Sequence, residues 1–435
     1  MNLKPLFLPI LLLLCVVKMN AQEILTVEDA VRIALENNYD IRISKNDLRI
    51  DKQNVSLANA GILPNVSANV TNNNSDLDTK QTQSDGSERE LDGAKNLNLT
   101  YGVALNWTVF NGFRMFARHD QLKELEKLGE AELKLTILTK ISDVITTYYD
   151  VVQQQQQLKA MDTTITISNM RLNLADNRYT IGKASKLEVL NAQVDLNTDT
   201  TLLLRQRELY ANTKTLLNEI LARDPKTEFR VIEIVEIDQS LLLPDLMVLA
   251  EKQNPQLQAQ IISKRISELE LKQIKGDRYP VVNINTGYNF TRSESSLGFI
   301  TQSSGRGLVY GIGATMNIFN GGLQNRNEKI AKIQVENSQL LIDQQKQSLN
   351  TQLVTAFQTY QTNLELSELE AKNETIAKQN MDITFEKFRI GTITTLEFRT
   401  AQLNYINAKV RNSNAQFQAK LSEIALKELT GNLNF

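Results

Sequence analysis

Residues 178–193, RYTIGKASKLEVLNAQ, return as residues 387–402, KFRIGTITTLEFRTAQ. Ile181, Gly182, Leu187, Glu188, Ala192 and Gln193 recur, at one constant offset, as Ile390, Gly391, Leu396, Glu397, Ala401 and Gln402. The segments flanking both copies lack proline: all seven prolines lie at or before Pro280, and none falls between Pro64 and Pro225. Such segments read as long helices, because an internal proline removes a hydrogen bond and clashes with the preceding turn. A single glycine between two helices ends the first in the left-handed conformation, which it adopts without a Cβ penalty. Ser185 or Thr394 then caps the next helix, and Glu188 or Glu397, three residues on, completes a capping box. Each copy is therefore the tip of a helical hairpin. Two copies in 435 residues predict two halves of one architecture.

The first half, 22–223, opens with a helix from Thr26 to about Ala60, with Val27, Ala30, Ile33 and Ala34 on one face. Residues 113–177 read as one helix, interrupted only by Gly129 and about 95–100 Å long at 1.5 Å per residue. It carries two apolar stripes, one through Leu135, Leu138 and Ile145 and one through Ile137, Ile141 and Val144, so it packs between neighbours on both sides. Tip 178–184 and return helix 185–223 follow. The first and last helices, laid end to end, nearly match the long one, which predicts a tube of even height. Residues 224–244 are a linker, with weak alternation over 229–237 marking a short strand at the waist. The second half, 245–435, repeats the plan with a helix, a long helix 322–386, tip 387–393 and return helix 394–430.

Between the first and second helices of each half the period changes from 3.6 to two. Over 96–110, Leu97, Leu99, Tyr101, Val103, Leu105 and Trp107 alternate with Asn98, Thr100, Gly102, Ala104 and Asn106. Val66, Ala68 and Val70 alternate in the same way, and the polar stretch 72–95 reads as a long exposed loop. In the second half Val282, Ile284, Tyr288 and Phe290 form one strand, 293–307 a shorter loop, and Leu308, Tyr310, Ile312 and Ala314 the next strand. The hairpins thus span about 62–110 and 280–319, with Pro64, Gly112, Pro280 and Gly321 at their junctions with the helices. Strands of this length fit a tilted membrane crossing of roughly 9–11 residues plus flanks. Tyr101, Trp107, Tyr288, Phe290 and Tyr310 fall on the apolar, lipid-facing side, opposite a small uncharged face suited to a water-filled lumen.

Four strands cannot close a barrel, and an open edge in lipid leaves backbone groups unsatisfied. The chain must therefore associate with copies of itself; three would supply twelve strands. The chain opens with MNLKPLFLPILLLLCVVKMNAQ, whose segment 1–21 reads as a signal peptide cut near Ala21. The only cysteine, Cys15, lies inside it; the alternative, a lipoprotein site, would want a small residue where Leu14 stands. No later apolar run reaches the length of a membrane helix. A formal charge of −2 offers no footprint for nucleic acid, and the single histidine, His119, argues against a His-built metal site or triad within one chain. Tyr310-Gly311-Ile312-Gly313 fails as a nucleotide loop, since Met316 stands where a third glycine is required. No enzyme activity and no cofactor are expected.

The order leader, helix, Leu-Pro, hairpin, Phe-Asn-Gly, long helix, glycine tip and return helix, occurring twice, resembles the TolC-type outer-membrane efflux family over essentially the whole mature chain. The resemblance implies a mixed α/β membrane protein. It would be a homotrimer with a twelve-stranded β-barrel in the outer membrane of a Gram-negative bacterium, continued by a periplasmic α-helical barrel. It also implies a periplasmic membrane-fusion adaptor on the tips and an inner-membrane RND or ABC pump behind it, moving drugs, metals, dyes or polypeptides outward. In that family acids just after the turn line the constriction, which places Glu397 and Glu188 as lumen acids. Thr400 replaces the deeper acid, Phe388 the tip tyrosine and Ile393 the tip arginine, so packing more than hydrogen bonding between chains would hold the closed state. Tyr179, Ile181, Gly182, Leu187, Phe388, Ile390, Gly391 and Leu396 are the candidate adaptor contacts, against the alternative that they only pack the turns. The rival of a different class is a periplasmic or surface coiled-coil scaffold without a pore.

Overall fold

Two helices of 67 residues dominate the computed structural model: α3 (Arg114–Thr180) and α7 (Leu323–Arg389). Each turns back at its tip into a helix of 35 residues, α4 (Lys186–Ile220) and α8 (Thr395–Leu429). The structure describes residues 23–296 and 300–433; the expected leader, with Cys15, lies outside the described residues. Among the described residues no helix is long and apolar enough to cross a membrane.

Where sequence predicts one N-terminal helix to about Ala60, the structure has two, α1 (Val27–Asn37) and α2 (Tyr39–Asn54). The break is at Asn38, whose side-chain oxygen accepts from the backbone of Asp40 and Ile41 at 2.9 and 3.2 Å. Its amide nitrogen donates to the carbonyl of Ile220, at the end of α4, at 2.8 Å. Asn254 does the same between α5 (Leu243–Gln253) and α6 (Pro255–Gly276), accepting from Leu257 N and donating to Leu429 O at the end of α8. One asparagine per half therefore caps the second helix and ties down the end of the return helix. At the waist β1 (Glu23–Leu25) pairs in parallel with β4 (Phe229–Val231), a strand shorter than the expected 229–237. The Tyr148 hydroxyl secures this pair, donating to Leu25 O at 3.0 Å and accepting from Ile232 N at 3.2 Å. Leu25, Ala30, Ile145, Leu217 and Phe229 form the core around it.

At the opposite end from the tips, β2 (Asn65–Thr82), β3 (Glu88–Asn111), β5 (Val281–Ser295) and β6 (Gln302–Thr315) form one antiparallel sheet in the order β2-β3-β5-β6. The expected loops at 72–95 and 293–307 are mostly strand. The first hairpin pairs from Asn65↔Asn106 to Thr82↔Glu88, with one register shift between Leu77 and Thr79, and turns only at 83–87. The pairing uses backbone groups alone, so a stretch polar on both faces forms a strand wherever water wets both faces.

The register places the apolar residues in rows on one face. Val70, Tyr101 and Phe290 lie side by side, as do Ala68, Val103, Tyr288 and Leu308, then Trp107, Ile284 and Ile312, with Tyr310 opposite Thr286. All five aromatic residues singled out from the sequence thus share this face, and Tyr101 stacks on Phe290 at 5.0 Å. The other face carries rows such as Asn69, Gly102, Asn289 and Gly307. Among the described residues the outer strands, β2 and β6, each have one edge without a partner strand.

Candidate functional site

Both tips close in the same way. Helix α3 ends with Gly182 at φ +75°, Gly182 N bonding Tyr179 O at 2.9 Å and Lys183 N bonding Arg178 O at 2.7 Å. Helix α7 ends with Gly391 at φ +82°, with the same bonds from Gly391 to Phe388 and from Thr392 to Lys387, both 3.0 Å. This is the Schellman pattern that a glycine after the last helical residue permits.

The return helices start differently. At Thr394 the expected capping box is present: its hydroxyl accepts from Glu397 N at 3.3 Å, and the Glu397 carboxylate accepts from Thr394 N at 2.8 Å. At Ser185 the expected box is absent. Glu188 is half-buried and is held by other partners. Its carboxylate accepts the Thr395 hydroxyl at 2.6 Å and pairs with Arg178 at 3.4 Å. Arg178 in turn lies 5.8 Å from the ring centre of Phe388. Glu188 therefore links one hairpin tip to the other, and Glu397 caps its own helix at an exposed position.

Glu397 titrates accordingly. Its carboxyl is held below the ordinary 4.5 by the Thr394 backbone N–H and then by the Thr394 hydroxyl. A depressed carboxyl stabilises the fold above its unfolded value, and that contribution is lost as pH falls through the folded value. Protection of the Glu397 amide, taken against its intrinsic exchange rate at each pH, is expected to fall as the pH drops below 4.5 in the parent and to be already lost at neutral pH in Thr394→Ala. Equal protection in both at every pH would show that the box does not hold this turn.

Phe388 needs correction as a surface contact. It is 0% exposed, stacked on Phe398 at 5.2 Å, with Phe385 and the half-buried Ile393 around them. The aromatic pair demands burial, and the turn supplies it by packing the two helices of one hairpin. The remaining tip residues are open: Ile181 and Leu187 are each 64% exposed, Ile390 71%, Leu396 75%, and Tyr179 lies under the Lys186 ammonium at 5.1 Å. A Cβ on Gly182 or Gly391 would meet nothing within 4 Å. Two apolar knuckles thus stand at the end of the molecule. Thr400 is exposed, its hydroxyl bonding Leu396 O at 3.0 Å.

Just behind the tips lies a cluster that the sequence reading missed. Arg399 of α8 grips Asp199 of α4 with both terminal nitrogens, at 2.7 and 2.8 Å. Ser168 of α3 donates to the same carboxylate at 2.6 Å, and Gln402 of α8 donates to Ser168 at 2.9 Å. Arg171 of α3 pairs with Asp195 of α4 beside them. Ser168, Arg171, Asp199, Arg399 and Gln402 are all buried. Burial pulls the Arg399 guanidinium down, but Asp199 outweighs it and the net shift is upward; burial dominates for Arg171, which is lowered. The cluster joins the two hairpins through charge and leaves little water to replace the bonds. A signal was available in the repeat: Arg399 and Asp199 stand at positions that hold Leu190 and Ala408 in the other half.

Comparison with known proteins came to one answer. The family model described as "Outer membrane efflux protein" matches residues 30–223 and 246–432. The outer membrane efflux protein BepC of Brucella suis biovar 1 (strain 1330) is 19% identical over 431 residues, covering 94% of this chain and 86% of that protein. The outer membrane protein TolC of Escherichia coli (strain K12) is 20% identical over 307 residues, 68% of this chain and 62% of that one. The outer-membrane channel OprN has the same fold, with a TM-score of 0.76 at 17% identity, over 93% of this chain and 90% of its own.

Proposed function

Because the chain belongs to the outer membrane efflux protein family, we propose that it forms the exit duct of a tripartite efflux or type I secretion system. It is an outer-membrane protein of the efflux class, with no support for the pore-free scaffold. Three copies would close a twelve-stranded barrel, which the paired helices continue as a tunnel across the periplasm. One observation carries this reading: a four-stranded sheet that is apolar on one face, small and polar on the other, and open at both edges. In a lipid bilayer such a sheet needs partners at both edges, and a second and third copy are the partners that close the ring. The apolar face with its aromatic residues would meet lipid, and the asparagine and glycine rows would line the lumen. Extraction of the protein from outer membranes should require detergent and yield a particle of three times the mass of the processed chain. A water-extractable monomer would favour the scaffold.

The tips are the proposed gate and docking end. The open knuckles Tyr179, Ile181, Leu187, Ile390 and Leu396 suit the apolar grooves of a periplasmic membrane-fusion adaptor, through which an inner-membrane RND or ABC pump would load the duct. Gly182 and Gly391 allow close approach there. Glu397, exposed and held ionised by its cap, is the proposed lumen acid, and Glu188 adds to the field from its bridge between the tips. Glu397→Gln is expected to weaken block of conductance by divalent cations several-fold, because a neutral amide no longer attracts them. Unchanged block would remove Glu397 from the gate.

A further inference from the structure

The two halves repeat without gaps through the junction segments, yet their surroundings differ. Helix α3 buries 22 of its residues and α7 only 7. Gly112 lies so close to the end of α6 that a Cβ there would be 2.1 Å from Gly276 O, whereas a Cβ on Gly321 would meet nothing within 4 Å. Phe319 is 86% exposed and Ile318 94%, while Phe110 and Val109 are half-buried. In the first half these places are covered by the second half. In the second half the chain leaves them open.

The internal repeat then fixes how that copy sits. In the protomer β3 pairs with β5. Aligning Phe110-Asn111-Gly112 on Phe319-Asn320-Gly321 and Pro280 on Pro64 transfers this pairing to β6 and β2. We propose that the segment 302–320 of one protomer pairs antiparallel with β2 of the next copy, Asn317 opposite Ser67, Phe319 opposite Val66 and Gly311 opposite Asn73. The proposal rests on the closed-ring reading and adds its register.

The side chains agree with the transfer at three places. Phe110 faces Val282 within the protomer, and Phe319 would again face a valine. Gly102 faces Asn289, where a Cβ would lie 2.3 Å from the asparagine side chain; Gly311 would again face an asparagine. The Thr108 hydroxyl bonds the Asn283 amide at 2.8 Å, and Asn317 with Ser67 supplies the same amide and hydroxyl with the strands exchanged. A slip by one residue would also turn the apolar row of β6 to the wrong face of β2. Parity alone permits a slip by two, which these three pairs do not.

Cysteine pairs test the register in the full-length protein in outer membranes. The chain's only cysteine is Cys15, within the expected leader, so introduced thiols report alone. Thr108→Cys with Asn283→Cys is the positive control, an in-chain pair in the geometry that the seam would copy. Ser67→Cys with Asn317→Cys should, on oxidation, convert the monomer band into dimers and trimers on a non-reducing gel. Ser67→Cys with Gly313→Cys places the thiols four residues out of register, roughly 13 Å apart along the strand and beyond disulfide reach. It should remain monomeric. Asn65→Cys with Asn320→Cys serves if the first seam pair disturbs folding. Linkage of the shifted pair, or failure of both seam pairs in a trimeric particle whose control pair forms, would overturn the register. A monomeric native mass would instead overturn the closed ring itself.

Discussion

Asp199→Ala is expected to loosen the two helical hairpins at the tip end and to raise the channel's conductance. Asp199 is 3% exposed and accepts from Arg399 twice and from Ser168 once. Removing it leaves the Arg399 guanidinium buried beside Arg171 with only the more distant Asp195, 3.8 Å from Arg399 Nε, to answer both charges. Breaking one side of a buried ion pair typically costs about 3–5 kcal/mol, most of it the price of the stranded charge. The loss should appear as faster amide exchange in the tip-proximal turns of α4 and α8, with the waist unchanged. The double variant Asp199→Ala with Arg399→Leu installs the residues found at the equivalent places of the other half, Ala408 and Leu190. With no charge left stranded it should regain most of the lost protection. A double variant as labile as the single one would contradict the assignment of this cluster as a clasp.

Gly112→Val is expected to be the most damaging change at the junction between sheet and helices. The residue has φ +70°, and a Cβ would lie 2.1 Å from Gly276 O and 2.9 Å from Gly276 C. Both neighbours are backbone, so the strand and α6 would have to separate. The left-handed conformation costs a branched residue about 1–2 kcal/mol, and forced overpacking adds about 1–3 kcal/mol. The expected outcome is a severe loss of assembled protein in the outer membrane. Gly182→Ala is the control, since φ is +75° there and nothing lies within 4 Å. It should lose only the conformational part and assemble normally. Equal yields for the two variants would mean that the close approach of β3 and α6 is not required.

Much of this organisation is legible from residue spacing. Gly182 and Gly391 specify the helix ends, because a local backbone requirement needs no knowledge of neighbours, and the alternation through Leu97–Trp107 specifies the strand faces. Failures occur where a residue's partner is distant in sequence. The Ser185 box loses to Thr395 and Arg178 for the carboxylate of Glu188, and the clasp spans 200 residues between Asp199 and Arg399. Asn38 splits the first helix because it must reach Ile220 O. The polar hairpin end fails for another reason. Its strands carry no hydrophobic pattern, and backbone pairing leaves no mark in composition.

A conduit closed by copies of this chain and constricted at its helical tips has one decisive electrical signature. Single-channel recording of the purified, detergent-extracted protein in a planar bilayer, with its mass determined alongside, tests it most directly. The expected result is a trimeric particle with a small conductance that divalent cations reduce and that Asp199→Ala increases. A monomer that conducts nothing would contradict it.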